Sequence, residues 1–299
     1  MKLFRGVYTA LITPFTEYGL FDEKAFADIV EFQIGQGIDG LVPCGTTGES
    51  PTLSHAEHDR VIATTVELAD KRVPVIAGTG SNATSEAVRL SKHAEAAGVD
   101  ALLLVNPYYN KPTQKGLYLH FRMIADSVGI PCVLYNIKGR TGVNLETETL
   151  IRLANDCPNI IAVKEASGDL NQMKEVINRT QNDFCTLSGD DNISVDLIEA
   201  GGDGVISVAA NLLPAQMRKM IHAALDGDMA TAREWEKNLL PFFGACFVET
   251  NPIPIKTAMA AYGWAQEQFR LPMCSLENEQ HREHILKTLL PLDVKRKNS

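Results

Sequence analysis

Lys164 closes the apolar run Ile160-Ile161-Ala162-Val163, and a Gly168-Asp169 turn follows soon after it. A short apolar run bounded by turn residues predicts a strand buried on both faces. An ammonium group at the end of such a strand is desolvated, which lowers a lysine pKa from its usual value of about 10.4. A lysine held neutral is a nucleophile towards carbonyls. The plain alternative is a lysine that snorkels out of the strand end or pairs with Glu165.

Four further stretches carry groups that could serve such a nucleophile. They are Gly45-Thr46-Thr47-Gly48-Glu49-Ser50, Asn106-Pro107-Tyr108-Tyr109-Asn110, Tyr135-Asn136-Ile137-Lys138-Gly139-Arg140-Thr141-Gly142 and Ser188-Gly189-Asp190-Asp191. The set suits Schiff-base chemistry on a keto acid, with hydroxyls relaying the protons needed to expel water. Gly45–Gly48 offers backbone N–H groups and hydroxyls to a carboxylate. Arg140 could clamp a second carboxylate in bidentate fashion. Taken singly, Thr46 and Thr47 read as loop and Tyr135 as a core aromatic. Taken together, these residues make a site.

The elements that must position them alternate along the chain. Strand candidates are Gly6–Phe15, Gly40–Gly45, Pro74–Gly80, Ala101–Pro107, Cys132–Asn136, Ile160–Ala166, Cys185–Asp190 and Gly204–Val208. Helical periodicity separates them, as over Asp22–Gln36, His55–Ala69, Ser85–Ala97 and Gly116–Val128. The repeat is about one βαβ unit. The fold expected is therefore α/β, a closed (β/α)8 TIM barrel, whose catalytic groups gather at the C-terminal ends of the strands. All five stretches above end predicted strands. A doubly wound sheet is the runner-up. After Val208 only helices follow, over Leu213–Leu225, Met229–Phe243, Pro254–Tyr262 and Glu277–Leu290. The turn Asp226-Gly227-Asp228 sets the boundary between a barrel, 1–226, and a small helical appendage, 227–299.

Composition narrows the function. The chain has 299 residues, 45% of them hydrophobic and 22% charged, as expected of a soluble globular protein. A net charge of −9 argues against nucleic acid as a partner. The basic tail Lys295-Arg296-Lys297 reads as a frayed end. No stretch is apolar enough for a bilayer or a secretory signal, so no membrane partner is expected. Six cysteines without a C-x-x-C pair suit a reducing, cytoplasmic setting.

Two motifs invite other readings. Gly78-Thr79-Gly80-Ser81-Asn82-Ala83 matches a dinucleotide fingerprint, but its acidic partner would be Asp100, which precedes the next strand instead of ending it. His55 and His58 have helical i,i+3 spacing but no third metal ligand near them. They read as surface histidines, or as contacts for a small anion or amino acid. The chemistry calls for no cofactor and no metal.

Gly45-Thr46-Thr47-Gly48-Glu49, Tyr135-Asn136, Gly139-Arg140-Thr141-Gly142 and Val163-Lys164-Glu165-Ala166 closely resemble the dihydrodipicolinate synthase family of pyruvate-dependent class I aldolases. The likeness runs from Phe4 to about Tyr262 and includes Asn251-Pro252-Ile253-Pro254-Ile255-Lys256. It implies Lys164 as the imine-forming lysine and Tyr135 as the proton shuttle, linked through Thr46 to a Tyr109 lent across a dimer interface. It implies Thr47, Gly189 and Ile206 as pyruvate-holding positions, and Arg140 as the anchor for L-aspartate semialdehyde. The product implied is hydroxy-tetrahydrodipicolinate, at the entry to diaminopimelate and lysine synthesis, and the assembly implied is a homotetramer. Ser50, His55, His58, Asn82, Glu86 and Tyr108 match positions that bind feedback lysine in lysine-sensitive members. Lys138 departs from the family, which commonly has proline there; lysine leaves that turn freer and adds charge beside the acceptor site. The rival readings are another pyruvate aldolase, such as N-acetylneuraminate lyase or a keto-deoxy sugar-acid aldolase, and a silent barrel that only senses pyruvate or lysine.

Overall fold

The computed structural model describes residues 2–297. Its eight parallel strands are β1 Gly6–Ala10, β2 Gly40–Val42, β3 Ile76–Gly78, β4 Ala101–Val105, β5 Cys132–Asn136, β6 Ile160–Glu165, β7 Cys185–Ser188 and β8 Gly204–Ser207. They run in the order β2-β1-β8-β7-β6-β5-β4-β3, and a parallel bridge between Leu41 and Val75 joins the two outer strands. The sheet is a barrel, and the doubly wound alternative is excluded.

Each strand is buried on both faces, and alternate residues separate two cores. Tyr8, Val42, Ile76, Leu103, Val133, Ala162, Leu187 and Ile206 fill the barrel. Leu41, Leu102, Leu134 and Val163 point outward against the helices. Pleating therefore sends Lys164 and Glu165 to opposite faces of β6. Glu165 accepts hydrogen bonds from Asn136 Nδ2 at 2.9 Å and Ser167 Oγ at 2.7 Å on the outer face. A Lys164–Glu165 pair is thus ruled out by strand geometry.

The barrel helices are α1 Glu23–Gly35, α2 His55–Ala69, α3 Thr84–Ala97, α4 Gln114–Ala125, α5 Lys138–Thr141, α6 Thr147–Asp156, α7 Leu170–Arg179, α8 Ser194–Glu199 and α9 Pro214–Leu225. Polar caps start several of them: Asp22 caps α1, Asp169 caps α7, and Ser54 with Glu57 forms a capping box on α2. Beyond α9 lie α10 Met229–Ala245, α11 Ile253–Ala261 and α12 Glu279–Leu289. None of the described helices is long and apolar enough to cross a membrane.

The strands end earlier than the apolar runs suggest, because the last residues of each run leave the ladder to form the rim. β1 stops at Ala10, and Phe15 instead bridges Phe21 in a short antiparallel turn. The basic tail is not frayed. Trp264 Nε1 donates to Lys295 O at 3.1 Å, Arg296 lies over the Tyr262 ring, and Lys297 pairs with Asp28 at 2.6 Å. Five of the cysteines are buried thiols and Cys274 is exposed.

Candidate active site

The rim at the C-terminal ends of the strands holds the residues singled out above. Lys164 and Tyr135 are register partners across β6 and β5, and both point into the barrel. The Lys164 ammonium lies 4.3 Å from the centroid of the Tyr135 ring. Lys164 is 5% exposed. Burial pulls its pKa down to about 8, while Asp190 and Asp191 pull the other way. Tyr135 is pushed up to about 12 by burial, so its phenol stays protonated, and its hydroxyl is hydrogen-bonded to the Thr46 side chain.

Thr46 and Thr47 sit in a tight turn after β2. Gly48 N donates to Gly45 O and Glu49 N to Thr46 O, both at 3.1 Å. Thr47 is buried and accepts a hydrogen bond at 3.0 Å from Asn251 Nδ2, in the helical region. Arg140 Nη2 donates to the carbonyl of that same Asn251 at 3.0 Å. Lys138 occupies the first position of α5, where proline is also favoured. The turn forms regardless, with Thr141 N donating to Ile137 O at 3.0 Å.

Gly189 packs directly under the lysine: a Cβ there would lie 3.0 Å from Lys164 Cε and 2.6 Å from Ala166 Cβ. Ile206 is buried in the barrel on β8. Asp191 braces the β8 end by accepting from Ala209 N at 2.9 Å and Val208 N at 3.2 Å. Tyr109 stands apart, 89% exposed on a loop where its φ is +74°.

A cavity of about 210 Å³ opens above Tyr135, between Thr46, Arg140, Ser50 and Tyr108. Beside it lies a second cluster. His55 Nε2 is 2.7 Å from Glu86 Oε1, Ser81 Oγ bonds the other oxygen of Glu86, and the Tyr108 hydroxyl bonds the Ser81 side chain. Ser81 first, then His55, holds the Glu86 carboxyl below its ordinary range. Asn82 joins through its carbonyl, which accepts from Asn110 Nδ2 at 2.8 Å. His58 is not a surface histidine: it is buried, its Nε2 is 2.8 Å from Gly78 O, and burial lowers its pKa. Among the described residues no metal-binding cluster occurs.

The glycines of the dinucleotide-like motif serve close packing. A Cβ on Gly78 would lie 2.3 Å from Cys44 O, and one on Gly80 2.4 Å from Val105 N. Asp100 accepts from Val75 N at 2.8 Å, at the opposite end of the barrel. Asp190 and Asp191 belong to the Ser188–Asp191 strand end that the sequence marks, whereas Ser81 and Asn251 stand there only within longer motifs. The contact of Asn251 with Thr47 joins residues far apart in the chain and has no local signature, whereas Ser81 bonds its near neighbours Ala83 and Glu86.

A desolvated lysine beside a protonated tyrosine in a barrel mouth defines a class I, Schiff-base lyase. Residues 3–290 match the dihydrodipicolinate synthetase family. The 4-hydroxy-tetrahydrodipicolinate synthase of Syntrophus aciditrophicus is 51% identical over 96% of this chain and 98% of its own. Among solved structures, dihydrodipicolinate synthase from Aquifex aeolicus superposes with a TM-score of 0.96 at 44% identity, covering 99% of this chain and 100% of its own. The enzyme from Cyanidioschyzon merolae, solved with lysine bound, gives 0.94 at 38% identity over 97% and 98%. The chain belongs to the dihydrodipicolinate synthetase family.

Proposed function

We propose that this chain condenses pyruvate with L-aspartate 4-semialdehyde through an imine on Lys164, the 4-hydroxy-tetrahydrodipicolinate synthase reaction. The observation that carries this reading is Lys164 itself, lowered to about 8 by burial and set against the Tyr135 ring.

The neutral Lys164 amine adds to C2 of pyruvate. Tyr135, coupled to Thr46, moves the proton from nitrogen to the hydroxyl that departs as water. The iminium then withdraws electrons from C3, which loses a proton to give an enamine. The enamine carbon attacks the aldehyde, whose carboxylate Arg140 holds from the rim. The amine of the adduct displaces the Lys164 nitrogen, closing the ring and freeing the enzyme. Thr47, Gly189 and the backbone at Ile206 shape the pyruvate pocket.

The apolar wall of Leu103, Val105 and Ile137 beside Tyr135 favours the semialdehyde over a polyhydroxylated sugar acid. The exposed Tyr109 supports insertion into a partner's site, and with it a dimer-based homotetramer. L-Lysine is the proposed effector, its ammonium meeting Glu86 among Ser50, His55, Asn82 and Tyr108, with the buried His58 behind them. The helical appendage proposed over 227–299 braces the barrel through its described residues, as at Asn251 and Lys256.

The test is turnover of pyruvate with L-aspartate semialdehyde, coupled to the downstream reductase and read as loss of reduced nicotinamide. Turnover that disappears in Lys164→Ala is expected. Pyruvate trapped on Lys164 without turnover would move the reading to another acceptor.

A further inference from the structure

The Thr46–Thr47 turn is held from beyond the barrel, by a charge buried in α11. Lys256 has no exposed surface. Its ammonium is bonded to Glu49 Oε1 and lies 4.4 Å from the Phe15 ring centroid and 4.9 Å from that of Phe269. Glu49 is itself 3% exposed, and its second oxygen accepts from Arg270 N at 3.2 Å. The carboxylate is therefore largely shielded from solvent, and its partners all come from the helical region.

Glu49 also closes the catalytic turn. Its φ is +51°, a left-handed conformation that a side chain seldom takes unless its surroundings impose it. Its N–H donates to Thr46 O at 3.1 Å, so the residue whose carboxylate Lys256 grips also sets the pitch of Thr46 and Thr47. Arg270 fixes the far side of the turn, donating to Thr52 O at 3.1 Å and to Glu57 of the α2 capping box. Asn251, just before α11, holds the Thr47 hydroxyl.

We infer that Lys256 is a positioning residue for the condensation: through Glu49 it fixes the turn that presents Thr46 to Tyr135. The inference rests on the reading of the site given above. A misplacement of about 1 Å in a catalytic group costs on the order of 100-fold in rate. Without Lys256 the buried Glu49 carboxylate loses its counter-charge and keeps only the Arg270 N–H, which drives it to swing towards water. That movement shifts the turn.

A buried pair can also be mere scaffolding, and the test separates the two roles. Lys256→Met and the double variant Lys256→Met/Glu49→Gln are compared with the unaltered chain at a temperature where circular dichroism finds all three folded. Melting temperature, kcat, and the rate of borohydride trapping of pyruvate on Lys164 are read for each. Lys256→Met should melt at least about 5 °C lower. The double variant, which removes both charges, should recover much of that loss. Trapping and kcat in both variants should stay at least roughly tenfold below the unaltered chain, because stability returns but the grip on the turn does not. A trapping rate equal to the unaltered chain in either folded variant overturns the inference. Trapping in the unaltered chain reports on the functional reading by itself, so failure there strikes that reading and not the role of Lys256.

Discussion

Gly189 lies so close beneath Lys164 that an added methyl group would sit 3.0 Å from the lysine Cε. It would also meet Ala166 Cβ at 2.6 Å and Glu165 O at 3.2 Å, neither of which belongs to a flexible chain end. The 2.6 Å contact with Ala166 forces the backbone to shift, and the lysine must also leave the rotamer that sets its amine beside Tyr135. Gly189→Ala should therefore slow imine formation by at least about tenfold. It should destabilise the fold by only about 1–3 kcal/mol. Single-turnover trapping with pyruvate, set beside a thermal melt, checks both numbers.

The pH profile of trapping follows from Lys164. With the amine titrating at about 8, the trapping rate should rise close to tenfold per unit below pH 8 and level off above it. A plateau reached only near pH 10 would mean an ordinary lysine.

The same shift has a consequence for stability. The folded value of about 8 lies below the unfolded 10.5, so folding disfavours the charged form. That cost is complete below pH 8, shrinks between pH 8 and 10.5, and is gone above. Lys164→Met should thus melt several degrees above the unaltered chain at pH 7, with the gap narrowing as pH rises through that window. Such a gain in stability with loss of activity is the expected signature of a strained catalytic group.

Arg140 is the test of acceptor binding. Arg140→Ala should raise KM for the semialdehyde at least about tenfold, while pyruvate trapping on Lys164 changes far less. Arg140→Lys should recover little, since a point charge cannot replace the planar fork that also reaches Asn251 O. An equal fall in both half-reactions would place Arg140 in the pyruvate step instead.

How much of this was legible in the sequence depended on whether a feature was local. Strand β6 was readable because Ile160 to Val163 is apolar on both faces, and Lys164 stood out against that run. The rim motifs were readable because a barrel collects strand ends in one place. Strand ends were overextended where apolar residues such as Phe15 leave the ladder yet stay buried. His58 was misplaced because helical spacing gives a position along α2 but not the neighbour above it, which is the Gly78 carbonyl. The docking of the tail on Trp264 and Asp28, and the grip of Asn251 on Thr47, join residues far apart in the chain. No local pattern encodes them.

The cluster around Glu86 supplies the last prediction. If lysine is the effector, its ammonium must find a charged Glu86, and Ser81 and His55 hold that carboxyl in its ionised form. Glu86→Gln removes the charge and should raise the half-inhibitory lysine concentration at least about tenfold, leaving turnover without lysine unchanged. Ser81→Ala should weaken inhibition less, because it frees one oxygen of Glu86 and unties Tyr108 without removing the charge. Inhibition curves at saturating pyruvate order the two variants. Equal sensitivity in all three proteins would show that lysine, if it acts at all, binds elsewhere. The ordering Glu86→Gln, then Ser81→Ala, then the unaltered chain follows only if the carboxylate is the recognition element and the serine its support.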